Sequence, residues 1–328
     1  MTHQDIYVDP SLTLRSANWT DVNAVAELTY DVAQLEGDVS FVMTAEELAN
    51  AWRDEGFLVE RDVFVVETGD GRVVGSAEFY NEGDHCKLKA DGCVHPEFRG
   101  LGIGTALLEK MEERARTEIE LAEPDTRVVI QTMINTKNEA GDPLLRAMGY
   151  TPIRYFWRME IRLQEMPSVA TFPAGLELRP FIKDEHAVAV WQANNEAFRD
   201  HWGSHERTYA DWSHALFGNP NFDPTLWMIA WDGDEVAGFS QNRVRMGIGW
   251  VGTIAVRRPW RGKGLGLALM TQTFGEFYKR GMYTIGLGVD AENPTGATRL
   301  YQKAGMHPAS EHVTYEKELR AGRNVDEE

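Results

Sequence analysis

Cysteine and long apolar runs are both scarce in this chain. Only two cysteines, Cys86 and Cys93, occur among 328 residues, so the sequence offers neither a disulfide framework nor a zinc-binding cysteine pattern. No apolar run is long enough to cross a membrane, and the polar start Met1–Asp5 lacks the pattern of a signal peptide. The sequence therefore predicts a soluble cytoplasmic protein that does not enter a membrane.

Basic residues are few relative to acidic ones. The chain has 33 Lys and Arg against 51 Asp and Glu, which gives a net charge of -18. This charge argues against a nucleic-acid-binding surface and mildly favours cationic or amine substrates. Plain solubility explains the same charge equally well.

A glycine-rich motif occurs twice, each time between an apolar strand-like run and an amphipathic helix. Successive glycines let several backbone N–H groups approach a ligand, and the following helix adds its free N-terminal donors and positive dipole end. The motif therefore predicts a site for phosphate or pyrophosphate. A dinucleotide fingerprint would need a further glycine where Thr105 and Leu267 stand, and neither copy has the Gly-Lys-Ser/Thr of a P-loop. The motif residues are Arg99, Gly100, Gly102 and Gly104 in the first copy and Arg261, Gly262, Lys263, Gly264, Leu265 and Gly266 in the second.

Other landmarks repeat as well, which indicates a duplicated domain. Leu14 and Leu178 are 164 residues apart, and Gly149 and Gly305 are 156 apart. Each half reads as a strand, helices, a meander of strands, the glycine motif, a helix, a strand, a helix and a last strand, which is a mixed α/β domain. Prolines and a glycine interrupt the pattern near Ser168. The sequence predicts an N-terminal domain over 1–167 and a C-terminal domain over 168–328.

The second half carries two signatures in order. The first is the motif from Arg261 with the strand that precedes it, and the second runs from Gly286 to Met306. Together they resemble the GNAT superfamily of N-acetyltransferases, in which some members carry two such domains with the second one active. The resemblance implies two tandem GNAT-like domains, each a mixed, centrally splayed sheet flanked by helices. It implies acetyl-CoA as the acyl donor.

The resemblance also implies roles for particular residues of the second half. The glycine motif would cradle the pyrophosphate of acetyl-CoA, and the pantetheine arm would lie beside the preceding strand. A peptide N–H of that strand, at Val256 or its neighbours Ile254 and Ala255, would polarise the thioester carbonyl. Asn293 is a favoured helix N-cap, and the small Ala297 on that helix would leave room for the pantetheine arm.

Tyr301 is the candidate general acid. It lies four residues after Ala297 and shares its helix face, and the family's pattern places there a tyrosine that protonates the departing thiolate. A buried tyrosine that only fills the core is the alternative. The first half has Leu145 at this place, so the N-terminal domain is expected to be catalytically degenerate. Two readings of its glycine motif are open. The motif still binds acetyl-CoA or CoA, or its glycines are present only because the geometry of the turn needs them.

No carboxylate stands on the strand before Val256, where many family members have a catalytic glutamate. Candidates for the general base are Asp200 and His201, and the substrate-binding candidates are Glu196 and Trp202. A base is unnecessary if the amine enters neutral. His201 and His205 have the spacing of a metal pair, but no third ligand is evident, so no metal is expected.

The sequence thus predicts acetyl transfer from acetyl-CoA to a primary amine of a small molecule, by direct attack in a ternary complex, with the protein as a monomer or homodimer. Two alternatives stay open. One is a CoA-binding sensor or scaffold without turnover, and the other is a GNAT-fold enzyme that uses another acyl-CoA.

Overall fold

The computed structural model of the chain describes residues 9–81, 83–199, 206–293 and 296–324. The described residues form a mixture of helices and strands. The first half contains, in order, β1 (Leu12–Ser16), α1 (Val22–Glu36), α2 (Ala45–Ala51), α3 (Val59–Asp62), β2 (Val63–Thr68), β3 (Val73–Asn81), β4 (Lys87–Val94), α4 (Ile103–Arg116), β5 (Val128–Asn135), α5 (Gly141–Ala147) and β6 (Thr151–Arg162). The second half contains β7 (Glu177–Pro180), α6 (Lys183–Phe198), α7 (Tyr209–Phe217), β8 (Met228–Asp232), β9 (Glu235–Arg245), β10 (Ile248–Val256), α8 (Leu265–Lys279), β11 (Thr284–Asp290), α9 (Ala297–Lys303) and β12 (His307–Arg320).

The chain forms two compact units that do not coincide with the two halves of its sequence. The first unit extends to Tyr155 and resumes at Ser310, and the second is Phe156–Ala309. The physical reason is strand pairing: the end of β12 pairs with β5, and β6 pairs with β11. Each unit therefore takes one strand from the other half of the sequence, whereas the predicted boundary near Ser168 assigned each strand to its own half.

The first unit is a mixed sheet with helices on both faces. Strands β1 to β4 form an antiparallel meander, β4 and β5 run parallel, and β12 lies antiparallel to β5. Successive side chains of β2 alternate between faces: Val65 packs in one apolar cluster with Leu28 of α1, and Val66 packs in another with Leu107 of α4. Both faces of the sheet are thereby buried.

The second unit repeats this arrangement. Strands β7 to β10 are an antiparallel meander, β10 and β11 run parallel, and β6 lies antiparallel to β11. Phe239 of β9 packs with Val190 of α6 on one face, and Met270 and Phe274 of α8 pack beside Leu287 of β11 on the other. The predicted pair of mixed α/β domains is confirmed, as is the meander of strands predicted in each half.

Within the described part of the chain, no helix has the length and apolar character that crossing a membrane requires.

Candidate functional site

The second glycine motif forms the turn between β10 and α8. Gly262 and Gly264 adopt left-handed backbone conformations, with φ of 74° and 90°, and Gly264 is the N-cap of α8. Nothing lies within 4 Å of the place that a Cβ atom would take on either glycine, so the backbone there is open to a ligand. Lys263 between them is exposed, whereas Leu265 is buried in the core.

The third glycine of the motif has a packing role. A Cβ atom on Gly266 would lie 3.0 Å from Cδ2 of Leu300. This glycine therefore lets α8 approach α9 closely, and only its backbone could contact a ligand. The same holds for Gly104 in the first unit, where a Cβ atom would lie 2.7 Å from Cδ2 of Leu144.

Arg261 is held by neutral groups. Its Nε donates to the carbonyl oxygen of Val256 over 2.9 Å, and one terminal nitrogen donates to the carbonyl oxygen of Ala197 over 3.2 Å. Backbone carbonyls orient the guanidinium without cancelling its charge. The side chain therefore remains suited to an anionic ligand at the motif.

The sheet of the second unit opens directly before this motif. Parallel pairing of β10 with β11 is confined to Gly249 and Trp250, while β10 stays paired with β9 as far as Val256, with an irregularity between Val251 and Thr253. A gap therefore widens between β10 and β11 towards the glycine motif. The centrally splayed sheet that the resemblance implied is confirmed.

Two peptide N–H groups of β10 face this gap. The N–H of Arg257 donates to the carbonyl oxygen of Ala237 in β9, and bonded and non-bonded pairs alternate along an antiparallel ladder. It follows that Ala255 bonds to β9, whereas the N–H groups of Val256 and Ile254 point away from it. Of the three strand candidates, the geometry favours these two as donors to a ligand in the gap.

Tyr301 lies on α9, the helix that follows β11. It is 7% exposed and packs in an apolar cluster that also contains Ile254 and Ala297. Burial raises the pKa of its hydroxyl group to about 12. Tyr301, Ala297 and the end of β10 are thus brought together as the sequence predicted, and the tyrosine is protonated at any ordinary pH.

The predicted start of α9 is wrong. The helix begins at Ala297, and its N-cap is Gly296 with φ of 76° rather than Asn293. The N–H of Asn293 donates to the carbonyl oxygen of Asp290 over 3.1 Å, because the chain there is still turning away from the end of β11. Asn293 lies in the loop between the gap-forming strand and α9.

The predicted acceptor residues are only partly described. Asp200, His201 and Trp202 lie outside the described residues. Glu196 on α6 accepts a hydrogen bond from Nε of Arg257 over 2.7 Å and forms an ion pair with it. The ion pair holds the carboxylate of Glu196, a predicted substrate-binding residue, beside Arg257, which directly follows β10.

Across the described residues, no set of three or more His, Cys, Asp and Glu side chains is arranged to hold a metal ion. His201 and His205, which have the spacing of a metal pair in the sequence, both lie beyond those residues.

The first unit has a similar motif with a different electrostatic setting. Gly100 and Gly102 are left-handed, with φ of 82° and 81°, as in the second unit. Arg99, however, is ion-paired with Glu36 of α1 over 3.1 Å, so its charge is partly compensated. Leu145 is 3% exposed in the core and supplies no proton at the place that corresponds to Tyr301.

Sequence reasoning missed two carboxyl groups of the first unit. Asp91 on β4 and Glu78 on β3 are cross-strand partners, and Asp91 stands on the strand before the first motif, where the second unit has no carboxylate. The alignment of the two motifs was the signal that could have found them. In this alignment Asp91 corresponds to Thr253 of the second unit, and the cross-strand partner of Thr253 is Gln241.

Comparisons with known proteins agree with this geometry. A model of the acetyltransferase (GNAT) family matches residues 187–306, and a model of an acetyltransferase (GNAT) domain matches residues 60–152. The mycothiol acetyltransferase of Streptomyces scabiei is 31% identical over 233 residues, which cover 70% of each chain. That of Kineococcus radiotolerans is 30% identical, over 76% of this chain and 80% of its own.

Solved structures share the fold over nearly the whole length. A GCN5-related N-acetyltransferase from Sphaerobacter thermophilus is 33% identical and superimposes with a TM-score of 0.82, covering 97% of this chain and 99% of its own. A tandem GNAT protein from the clavulanic acid biosynthesis pathway is 20% identical with a TM-score of 0.71, over 95% of this chain and 100% of its own. The latter likeness concerns the fold alone.

Proposed function

Because the chain belongs to the GNAT family of N-acetyltransferases, with one GNAT domain in each half, we propose that its second unit transfers an acetyl group from acetyl-CoA to a primary amine of a small molecule. The observation that carries this proposal is the gap between β10 and β11. The gap opens towards the glycine motif, and Ile254 of β10 beside it packs against the cluster that contains Tyr301. A donor with a phosphate at one end and a reactive thioester at the other fits this path.

The residues present fit such a donor. Backbone N–H groups from Gly262 to Gly266 would hold the pyrophosphate, and Arg261 would add its uncompensated charge. The pantetheine arm would lie in the gap, where the small Ala297 leaves room and Asn293 lies in the adjoining loop. The N–H groups of β10 at Val256 and Ile254 would donate to the thioester carbonyl oxygen, where negative charge develops during attack.

Acetyl-CoA supplies an acetyl group activated as a thioester. The amine nitrogen forms a bond to the acetyl carbon, the carbon–sulfur bond breaks, and Tyr301 donates its proton to the departing thiolate. An amine that enters neutral loses one proton as the amide forms, and this proton replaces the one that Tyr301 gave up. An amine that enters charged must first lose a further proton, which Asp200 or His201 accepts. Glu196 and Trp202 would line the acceptor side of the site.

The first unit is proposed to bind CoA or acetyl-CoA without the same turnover. Its motif has the same left-handed glycines as the second, which supports binding. Leu145 stands where the second unit has Tyr301, so this position offers no general acid to the sulfur. The ion pair between Arg99 and Glu36 predicts weaker binding than in the second unit.

The experiment is thiol release from acetyl-CoA with pooled amines. Similarity to mycothiol acetyltransferases puts cysteinyl amino-sugar conjugates first, followed by amino sugars, aminoglycosides, polyamines and amino acids. Release with one pool would establish acetyl transfer and name the acceptor class. If no pool reacts while acetyl-CoA binds, the protein is instead a CoA sensor or uses another acyl donor.

Tyr301→Phe tests the mechanism, with Tyr283→Phe as the matched control because Tyr283 is 49% exposed. We expect Tyr301→Phe to lower kcat by about 10²-fold or more, with unchanged affinity for acetyl-CoA. Tyr283→Phe should leave kcat unchanged. Equal kcat in the two variants would remove Tyr301 from the mechanism.

A further inference from the structure

Three polar side chains follow Phe239 at every second position of β9: Gln241, Arg243 and Arg245. Phe239 packs with α6 in one apolar cluster, and side chains two residues apart along a strand share a face. The intervening residues point the other way, since the hydroxyl group of Ser240 accepts a hydrogen bond from a threonine of α8 over 3.2 Å. An amide and two guanidinium groups therefore lie on the face of the sheet that α6 covers.

Gln241 has a buried donor without a protein partner. The residue is 5% exposed, and its Nε2 has no hydrogen-bond partner among the residues that the structure describes. Its cross-strand partner Thr253 directly precedes Ile254, one of the two residues whose N–H groups face the gap. An unpaired buried amide costs free energy and is rare in folded proteins. An oxygen atom of a ligand beside the gap would supply the partner that this donor lacks.

Arg243 and Arg245 add positive charge to the same face. A terminal nitrogen of Arg243 lies 3.7 Å from the place that a Cβ atom would take on Gly252, an exposed residue of β10. The guanidinium carbon of Arg245 lies 5.9 Å from the ring centre of Trp250, and the face of this ring orients the cation. A guanidinium group has five N–H donors, so each arginine can hold a protein partner and a ligand together. Donors and positive charge on one face suit an anionic oxygen group.

Acidic side chains beside this face have arginine partners outside β9. Glu160 of β6 lies opposite Gly286 of β11, and a Cβ atom on Gly286 would lie 3.0 Å from the ring of Trp250, so Glu160 is on the same face. It forms an ion pair with Arg158. Glu196 of α6 forms an ion pair with the arginine that follows β10. Both carboxylates are thus balanced without the two arginines of β9.

The fold does not require an amide and a guanidinium group at these positions. Gly75 of β3 and Gly238 of β9 each pair with the last residue of the next strand. Counting on from these two glycines places Glu78 and Tyr80 of the first unit at the positions of the amide and of the first arginine. The first unit therefore forms the same hairpin with an acid and a phenol, so the donors of β9 are explained by a ligand of the second unit.

We propose that the amine acetylated by the second unit also carries an acidic group, a carboxylate or a phosphate, which Arg243 and Arg245 bind and Gln241 orients. This inference rests on the proposed acetyl transfer and adds the chemical class of its acceptor. Carboxylate and phosphate both present several oxygen atoms, which a guanidinium group binds in a bidentate manner. An amine without an acidic group leaves the buried donor of Gln241 unpaired and binds more weakly.

The test is isothermal titration of the full chain in the presence of saturating CoA, so that the glycine motifs do not take up the probes. The acidic probes are 4-aminobutanoate and phosphoethanolamine, and their counterparts without an acid are butylamine and ethanolamine. We expect an acidic probe to bind at least about tenfold more tightly than its counterpart, and the pair that shows the difference tells carboxylate from phosphate. Arg243→Gln should weaken binding of that probe by about tenfold or more. The matched control is Arg179→Gln in β7, where Arg179 pairs with the exposed Glu177, and it should bind as the wild type does.

Gln241→Leu separates ligand binding from a structural role. Removing a donor that has no protein partner should leave the melting temperature unchanged or higher, while the affinity for the acidic probe falls by about threefold or more. Gln241→Glu introduces the residue type of the first unit and should abolish the preference for the acidic probe, because like charges repel. A lower melting temperature with unchanged affinity would make Gln241 a core residue without a role in binding.

Other results would overturn the acidic acceptor. Each acidic probe binding no more tightly than its counterpart would do so, as would wild-type affinity in Arg243→Gln. Thiol release with the amine pools is measured separately: release with neutral amines alone would keep acetyl transfer and reject the acidic group. Binding that depends on Arg243 without release from any pool would keep the site and reject acetyl transfer. With a reacting acceptor, Arg243→Gln should raise the KM for the acceptor and leave the KM for acetyl-CoA unchanged.

Discussion

Arg261 donates a hydrogen bond from Nε to the backbone carbonyl oxygen of Val256 over 2.9 Å, which ties the second glycine motif to the last residue of β10. In the first unit the corresponding Arg99 instead forms an ion pair with Glu36. The two motifs share a backbone conformation and differ in the charge that they offer. Anion binding should therefore be stronger at the second motif.

We expect Arg261→Gln to raise the KM for acetyl-CoA by about tenfold with little change in kcat, because a charged hydrogen bond to phosphate contributes about 1.5–3 kcal/mol. Steady-state kinetics with varied acetyl-CoA measure this change. Arg99→Gln is the matched control and should leave the KM unchanged. The opposite pattern, with an effect of Arg99→Gln alone, would move the reacting donor to the first unit.

Gly249 and Gly275 form a contrasting pair for stability. A Cβ atom on Gly249 would lie 2.7 to 2.8 Å from three ring atoms of Phe277, which is fully buried. Gly275 lies inside α8 with nothing within 4 Å of such an atom. We expect Gly249→Ala to lower the free energy of unfolding by about 1–3 kcal/mol through overpacking.

Gly275→Ala should raise the free energy of unfolding by about 0.5–1 kcal/mol, because alanine loses less backbone entropy than glycine in a helix. Urea denaturation measures both variants. A loss of stability in Gly275→Ala would mean that α8 is crowded at this position.

Local features of this fold could be predicted from sequence. The turns of the two glycine motifs and the meander of strands that precedes each of them depend on residues close together in the sequence, and both are observed. The family resemblance added the position of Tyr301 relative to Ala297. These predictions succeeded because the required backbone conformations are specified by glycine locally.

Long-range pairing could not be predicted in the same way. The pairing of His312 in β12 with Asn135 in β5 joins residues far apart in the sequence, and the alternating pattern of a strand does not name its partner. Asn293 was predicted as an N-cap from residue type, but its N–H bonds to the carbonyl oxygen of Asp290 and the helix begins at Ala297, with Gly296 as its N-cap. Asp91 was missed because its setting depends on Glu78 across the sheet.

A buried charge network in the first unit should contribute strongly to stability. Nε of Arg114 donates to Asp62 over 2.7 Å, and the side chains are 7% and 2% exposed. Burial alone would raise the pKa of Asp62, but hydrogen bonds from Arg61, from the N–H of Leu58 and from Arg114 hold it below its ordinary value. We expect Arg114→Met to destabilise the protein by about 3–5 kcal/mol, since it removes the buried cation that Asp62 and Glu118 share and leaves Asp62 with the more exposed Arg61.

Lys110→Met on the same helix is the control, because its ion pair with Glu113 is largely exposed and should contribute at most about 0.5 kcal/mol.

The depressed pKa of Asp62 also makes the stability of the protein depend on pH. The free energy of unfolding that the Asp62 carboxylate contributes is fully present above the pKa of an unfolded aspartate, about 3.9. It is lost as the pH falls through the lower pKa that Asp62 has in the folded protein. Urea denaturation at neutral and acidic pH should show the difference between wild type and Arg114→Met shrinking in acid. A difference that stays constant would exclude Asp62 as the group responsible.

The raised pKa of Tyr301 predicts the shape of the pH profile of acetyl transfer. A general acid must be protonated to act, and burial raises the pKa of this hydroxyl group to about 12. Activity should increase with pH as the amine loses its proton. It should then stay level past a pH of about 10, which is the ordinary pKa of a tyrosine. The measurement is kcat as a function of pH with a saturating acceptor, in the wild type and in Tyr283→Phe as control. A decrease centred near the ordinary tyrosine value would contradict this assignment, because it would show that the general acid is a solvated group and not the buried Tyr301.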